Sequence, residues 1–289
     1  MPAIVAEKLN KTYEGGVHAL KDLDLAVEPG TVFGFLGPNG SGKTTTVRLL
    51  NGTLVPTKGS ARVLGMSPED EAIRMRTSTL AELAKMYEAL TVMENLEFFA
   101  GLYGIEGDRA KHKIRQLLTT FELWEKREQK LGTFSTGMQK RVHLARTLVN
   151  DPEIIFLDEP TSGLDPESAL QVTELVNELA KEKGRTVFLC THNLSLAERI
   201  CDAYGFIHEG SLVAVGTKDE LTRAVIRTNR VRITTSVGPH EFEFEEEEEI
   251  NGHIRGLMDA GEYVREVRIE VPDLETVYFH YIRRQNERA

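Results

Sequence analysis

Three groups of residues along the chain have types and spacings that could do chemistry. Gly37-Pro38-Asn39-Gly40-Ser41-Gly42-Lys43-Thr44 reads G-x-x-x-x-G-K-[ST]. Glycines at these positions let successive backbone N–H groups turn inward onto anionic oxygens. In such a cradle Lys43 reaches the β- and γ-phosphates of a nucleotide, and the Thr44 hydroxyl is a hard oxygen ligand for Mg²⁺. The second group is Ile154-Ile155-Phe156-Leu157-Asp158-Glu159-Pro160, an apolar run ending in two carboxylates. Asp158 is placed there to hold Mg²⁺ and Glu159 to polarise an attacking water, with an acidic helix N-cap as the competing reading. The third is Phe134-Ser135-Thr136-Gly137-Met138-Gln139-Lys140-Arg141-Val142. Small residues open a basic helix there, offering a hydroxyl, free amides and a positive dipole end to an anion.

Each group needs a scaffold. Val32 to Leu36 is an uninterrupted apolar run, predicting a buried strand ahead of the phosphate loop, and Thr44 to Leu50 continues as a helix. Ile154 to Leu157 predicts a second buried strand whose carboxyl end presents the acids where α/β sheets bind ligands. Ile4 to Leu9 and Ala19 to Val27 alternate as an antiparallel layer, bounded by Gly15-Gly16 and Glu28-Pro29-Gly30. Tyr13 lies between them, either stacking on a base or standing as a surface tyrosine. Leu54 to Ser60 reads as a turn and Ala61 to Leu64 as a short strand. From about 69 to 150 the composition is helical, with stripes at Met93, Leu96, Phe99, Ala100, Tyr103 and at Ile114, Leu117, Leu118, Phe121.

Composition narrows the classes. The chain has 289 residues, enough for one large core or two domains, and carries a formal charge of −10, which disfavours direct nucleic-acid binding. Cys190 and Cys201 form no disulfide framework or metal spacing. No run approaches the roughly 18 to 20 apolar residues that span a bilayer. Met1 to Glu7 lacks a basic n-region and a long apolar core, so no signal peptide is expected. A membrane role is expected to come through a partner.

Taken in this order, the motifs resemble those of the ATP-binding-cassette ATPases over residues 1 to about 220. Phe134 to Met138 is similar to that family's Leu-Ser-Gly-Gly-Gln signature loop, keeping Ser135 and Gly137 and departing at Phe134, Thr136 and Met138. Ser162-Gly163-Leu164-Asp165-Pro166 resembles the loop after the acidic strand, and Val187 to His192 the strand ending in the switch histidine. The family commonly has a glutamine between core and helical insertion. Thr79-Leu80-Ala81-Glu82-Leu83 has none, and counting back from Leu90-Thr91-Val92 places Glu82 there. Glu82 would ligate Mg²⁺ or orient water; a surface helical glutamate is the other reading.

The resemblance implies an α/β fold: a P-loop NTPase core of the cassette type with an antiparallel β subdomain and a helical subdomain, plus a small α+β carboxyl-terminal domain. It implies a cassette over 1–221 with its helical part at about 69–150, and an appendage over 222–289. ATP and Mg²⁺ are the implied cofactors, held between two cassettes closing head to tail, as a homodimer or with a second cassette ATPase. Gly37 to Lys43, Thr44 and Thr45 would bind phosphates and Tyr13 the adenine. Thr44, Asp158 and Glu82 would hold the metal. Ser135, Gly137 and Asp165 would act across the dimer, Glu159 would activate water, and His192 would contact the γ-phosphate. The implied function is the ATPase subunit of an exporter, cytoplasmic and peripheral on the membrane through a separately encoded transmembrane permease. A soluble cassette acting on ribosomes or DNA and an importer's ATPase are the alternatives.

In the tail, Arg230 to Thr235 and Val264 to Val271 predict strands, and Ile250 to Ala260 and Leu274 to Arg284 helices. Val271 to Tyr278 resembles the tail of drug- and antibiotic-efflux cassettes. Glu245 to Glu249 is expected to be a solvated, self-repelling loop.

Overall fold

Strands buried on both faces need side chains that are apolar in both directions, and β3 (Val32–Leu36), β6 (Ile154–Asp158) and β7 (Thr186–Thr191) are buried at every position. The structure is a computed structural model that describes residues 1–81, 85–225, 229–244 and 247–287. It divides into two compact units, Met1–Val215 and Gly216–Ala289.

The first unit opens with β1 (Ile4–Thr12) and β2 (His18–Val27), which join β4 (Lys58–Val63) in an antiparallel sheet of order β2-β1-β4. Between them β3 leads through the phosphate loop into α1 (Lys43–Leu50). After β4 come α2 (Glu71–Arg76), β5 (Thr77–Leu80), α3 (Val92–Leu102), α4 (Gly107–Thr120) and α5 (Thr136–Thr147). Then β6, α6 (Pro166–Lys183), β7, α7 (Leu194–Ile200), β8 (Ala203–His208) and β9 (Ser211–Gly216) follow. The second sheet has the order β5-β6-β7-β3-β8-β9, with the four pairs from β5 through β8 parallel.

Alternation along these strands sorts the core into two layers. Phe33, Phe35, Phe156 and Phe188 face α1 and the antiparallel sheet, among Ile4, Leu9, Leu23 and Val47. Val32, Ile155, Leu157, Val187 and Leu189 face the helices, among Leu96, Ile114, Val142 and Val176. Phe188 is central to the first layer, with ring centroids 5.5, 5.3 and 5.9 Å from those of Phe33, Phe35 and Phe156.

Two expectations are corrected. The stretch from 69 is not helical throughout: Thr77–Leu80 is β5, parallel to β6 from Thr77↔Ile154 to Leu80↔Leu157. Four residues carry too little periodicity to betray a strand, and the β-branched threonines gain their preference from pairing with β6. Helices do build the insertion from Val92 onward. Thr91 and Glu94 form a reciprocal cap on α3, and buried Asn95 ties Tyr87 to its first turn through bonds of 2.9 Å to Tyr87 N and O.

The second unit contains α8 (Lys218–Val225), β10 (Asn229–Thr235), β11 (Pro239–Phe244), α9 (Glu247–Asp259), β12 (Val264–Glu270) and α10 (Leu274–Asn286). Its antiparallel sheet has the order β11-β10-β12. The division falls ahead of α8 rather than within it at residue 221. The second correction concerns the glutamate run. Glu245 and Glu246 lie outside the described residues, but Glu247 to Glu249 open α9 instead of a loop. Carboxylates in a first turn are stabilised by the amide dipoles, which offsets their mutual repulsion.

Phe188→Ala should lower the unfolding free energy by about 3–5 kcal/mol, because it leaves a cavity among three further rings. Denaturant unfolding followed by circular dichroism checks this.

Candidate functional site

Parallel register brings the chemistry together. Leu36 of β3 pairs with Thr191 of β7, and Asp158 of β6 pairs with Cys190. The residues following each strand, Gly37, Glu159 and His192, therefore leave the sheet side by side at its carboxyl edge.

Backbone conformation shapes the loop. Gly40 and Gly42 have φ of 80° and 112°, and a Cβ on Gly37 would lie 2.2 Å from Ile207 O. No other residue type fits Gly37 without moving β8. The loop ends at the amino terminus of α1, an eight-residue helix with no side-chain cap. Ser41 Oγ is buried and has no hydrogen-bond partner among the described residues. An orphan hydroxyl, open amides and a dipole end in one cradle fit an anion such as a nucleotide phosphate.

Lys43 Nζ donates to Gly37 O at 2.7 Å and Pro38 O at 3.1 Å, and lies 3.7 Å from Glu159 Oε1, both side chains being more than nine-tenths buried. Thr44 Oγ1 donates to Asp158 Oδ2 at 2.8 Å. These two oxygens form a hard donor pair. No cluster of three or more His, Cys, Asp or Glu side chains suited to a metal occurs among the described residues. Mg²⁺ suits this donor set, because it is commonly held by one or two protein oxygens with water and substrate phosphate completing the shell. Ala19, Asn39, Gly40, Gly42, Lys43, Thr44, Thr45, Asp158 and Glu159 line a cleft of about 240 Å³.

Glu159 is fixed from several directions. Thr191 Oγ1 donates to Oε2 at 3.0 Å, His192 N donates to Oε1 at 3.0 Å, and His192 Nδ1 lies 2.8 Å from Oε1. Its φ is +48°, held by Glu159 N donating to Cys190 O at 2.9 Å and by Lys140 Nζ donating to Glu159 O at 3.2 Å. Thr191 and Lys140 are contributions that motif reading missed. The signal for Thr191 was its position at the end of a strand adjacent to β6, which becomes visible once the strand order is known. Burial, then Asp158, raises the Cys190 thiol well above its usual range, so this cysteine stays protonated.

The remaining predicted residues are placed as follows. Tyr13 OH lies 3.3 Å from Thr45 Oγ1, so the tyrosine reaches the start of α1, while Lys11 Nζ lies 5.6 Å from its ring centroid. Ser135 caps α5, and a Cβ on Gly137 would lie 2.7 Å from Ser168 Oγ. Asp165 caps α6 through Ser168 N at 3.0 Å and Ser168 Oγ at 2.7 Å, bonds that hold its carboxyl below the usual range. These three residues gather where α5 meets α6 and do not line the cleft around Lys43. Glu82 lies outside the described residues.

Comparison with known proteins agrees with this geometry. The pattern of the ABC transporter family matches residues 20–162. The daunorubicin/doxorubicin resistance ATP-binding protein DrrA of Streptomyces peucetius is 40% identical over 233 residues, covering 80% of this chain and 70% of that protein. The daunorubicin resistance ATP-binding protein DrrA3 of Streptomyces coeruleorubidus is 33% identical, covering 96% of this chain and 95% of its own length. A dimeric post-hydrolysis structure of an ATP-binding cassette with ADP and Pi superposes with a TM-score of 0.68 at 26% identity, over 74% of this chain and 98% of the other.

The helix carrying Ser135 and Lys140 has its own pH dependence. Burial, followed by Arg146 and Lys140, pushes the His143 imidazole down to about 4. A base whose folded pKa is depressed favours folding while neutral. Its contribution is therefore complete above the unfolded value of about 6.5 and is lost as pH falls towards 4. Thermal unfolding of wild type should thus fall more steeply than that of His143→Gln between those limits. Parallel melting curves against pH measure the difference.

Proposed function

Because this chain belongs to the ABC transporter family as an ATP-binding subunit that hydrolyses ATP, we propose that it drives a small-molecule exporter through a Mg²⁺-dependent reaction at the Lys43–Asp158–Glu159 cleft. The observation that carries the mechanism is the position of Glu159. Its buried carboxylate is held by Thr191 and His192, 3.7 Å from the Lys43 ammonium.

Lys43 and the amides of Gly37 to Thr44, with Ser41 Oγ, hold the β- and γ-phosphates. Thr45 assists at the α-phosphate and Tyr13 packs on the adenine. Thr44 and Asp158 would hold Mg²⁺, which would offset phosphate charge as the terminal bond breaks. Glu159 orients a water in line with the γ-phosphorus and takes its proton, and His192 fixes both the carboxylate and the γ-phosphate oxygen. Glu82 is the remaining candidate metal ligand. Ser135, Gly137 and Asp165, grouped where α5 meets α6, serve the site of a second cassette. That partner is another copy or a related ATPase, so each closed pair holds two nucleotides. Support for the dimer comes from the dimeric cassette structure.

The export reading rests on relatives named for daunorubicin and doxorubicin resistance. No helix among the described residues is long and apolar enough to cross a membrane. In this reading a separately encoded permease supplies the membrane path, with this subunit on its cytoplasmic face. The helical insertion offers a place for it: Tyr87 and Phe98, 50% and 44% exposed, meet edge to face at 5.2 Å.

Glu159→Gln should lower ATP turnover by about 10²-fold or more while retaining ATP binding and ATP-dependent dimerisation. Lys43→Ala should instead weaken ATP binding by about tenfold or more. Steady-state hydrolysis with and without Mg²⁺, paired with sedimentation analysis in ATP, checks both variants. Full turnover by Glu159→Gln, or turnover unaffected by metal chelation, would overturn this mechanism.

A further inference from the structure

The three-stranded sheet of the second unit has two edges of opposite character. At one edge, β11 begins with Pro239 and carries Glu241 and Glu243 on the face away from α9, where they pair with Arg232 and Arg230. Antiparallel pairing of β11 with its own copy, centred on 241, 242 or 243, sets glutamate against glutamate. This edge is protected against self-association.

The other edge, β12, is built differently. Val267 and Ile269 pair with Ile233 and Val231, so they share the face covered by α9. Ile233 and Val231 are buried with Phe244 and Ile250, whereas Val267, Ile269 and the following Val271 remain 40%, 42% and 67% exposed. The cover thus reaches Val264 of β12, which still packs on the α9 cluster, and thins beyond it, leaving Val267, Ile269 and Val271 as an apolar stripe along the end of the edge strand. On the opposite face Arg268 stands directly across from Arg232, a like-charge pairing that leaves room for another anion. Arg268 already donates to Glu266 at 3.2 Å.

One self-pairing satisfies both faces. With two antiparallel β12 strands centred on Ile269, Ile269 meets Ile269 of the second copy and Val267 meets Val271, the first residue beyond the strand, which would extend it by one residue. Arg268 meets Glu270 twice, once on each side of the two-fold axis. Centring on Val267 instead also sets Glu266 against Arg268, but it opposes Arg265 to Ile269 and Val264 to Glu270, so the apolar stripe is left unmatched.

We infer that β12 is a self-association surface, joining the three-stranded sheets of two copies of this chain into one six-stranded sheet in the register Ile269 to Ile269. The occupant is a second copy because sequence and charge are complementary to themselves at this edge and not at β11. This contact is independent of nucleotide, unlike the ATP-dependent closure proposed above.

Sedimentation of the full chain without nucleotide, from low to high micromolar, tests the inference. Wild type should dimerise reversibly. Arg268→Glu and Glu270→Arg, each setting like charges against each other at two symmetric positions, should weaken the dimer by about tenfold or more. The double reversal Arg268→Glu/Glu270→Arg restores opposite charges and should restore affinity. As a second measurement independent of charge, Ile269→Cys should cross-link to itself under mild oxidation and Val267→Cys should not. A wild type that stays monomeric, a dimer insensitive to both reversals, or a double reversal that restores nothing would overturn the pairing. ATP-dependent dimerisation of Glu159→Gln is measured separately, so the tail contact and the nucleotide mechanism can fail independently.

Discussion

Enclosing Lys43, Asp158 and Glu159 together is the constraint on which the first unit depends. All three are more than nine-tenths buried, and ions removed from water need both opposite charge and hydrogen bonds to remain ionised. One ammonium cannot neutralise two carboxylates, so the surroundings supply further donors. Thr44 donates to Asp158, while Thr191 and the His192 amide donate to Glu159. Lys43 is itself satisfied by the carbonyls of Gly37 and Pro38. Two carboxyl groups beside one ammonium make a donor set that fits the proposed divalent cation with polyphosphate, which would bring positive charge to the carboxyl groups and negative charge to the lysine.

A rigid scaffold is needed to hold such a group, and the parallel sheet provides it. The phenylalanine layer on one side and the aliphatic layer on the other fix β3, β6 and β7 in register. Backbone strain is then tolerated at the site itself. A left-handed glutamate is unfavourable by about 1–2 kcal/mol, and Glu159 holds that conformation because bonds from its own amide and from Lys140 over-determine it. The bend turns the carboxylate from the strand axis towards Thr191 and His192.

The two units use sheet edges in different ways. In the first, the carboxyl edge of a parallel sheet gathers polar groups on loops while the strand faces stay covered. In the second, a small antiparallel sheet is covered by a single amphipathic helix, α9, which shields β10 and Val264 of β12 but leaves Val267 and Ile269 partly exposed. A three-stranded sheet is wider than one helix, so the incomplete cover of the edge strand follows from the dimensions of the elements.

Sequence by itself determined the local geometry of the loops that gather at the site. The glycine spacing before Lys43, the acids after Ile154 to Leu157 and the small residues before α5 each demand one local geometry, because glycine and charge at a strand end are restrictive signals. The strands β1, β2, β3, β6, β10 and β12 and the helices α3 and α4 were legible through apolar runs or periodicity, α1 through its place after the phosphate loop, and β7 through the family resemblance. Tertiary structure decided what depends on neighbours. Thr77–Leu80 is a strand because β6 lies beside it, and residues 247 to 249 join α9 because the helix they open buries Ile250 against Val231 and Ile233 of β10. Thr191 and Lys140 reach Glu159 only once β7 and α5 pack against β6, a proximity between residues 19 and 32 positions from Glu159 that local pattern does not encode.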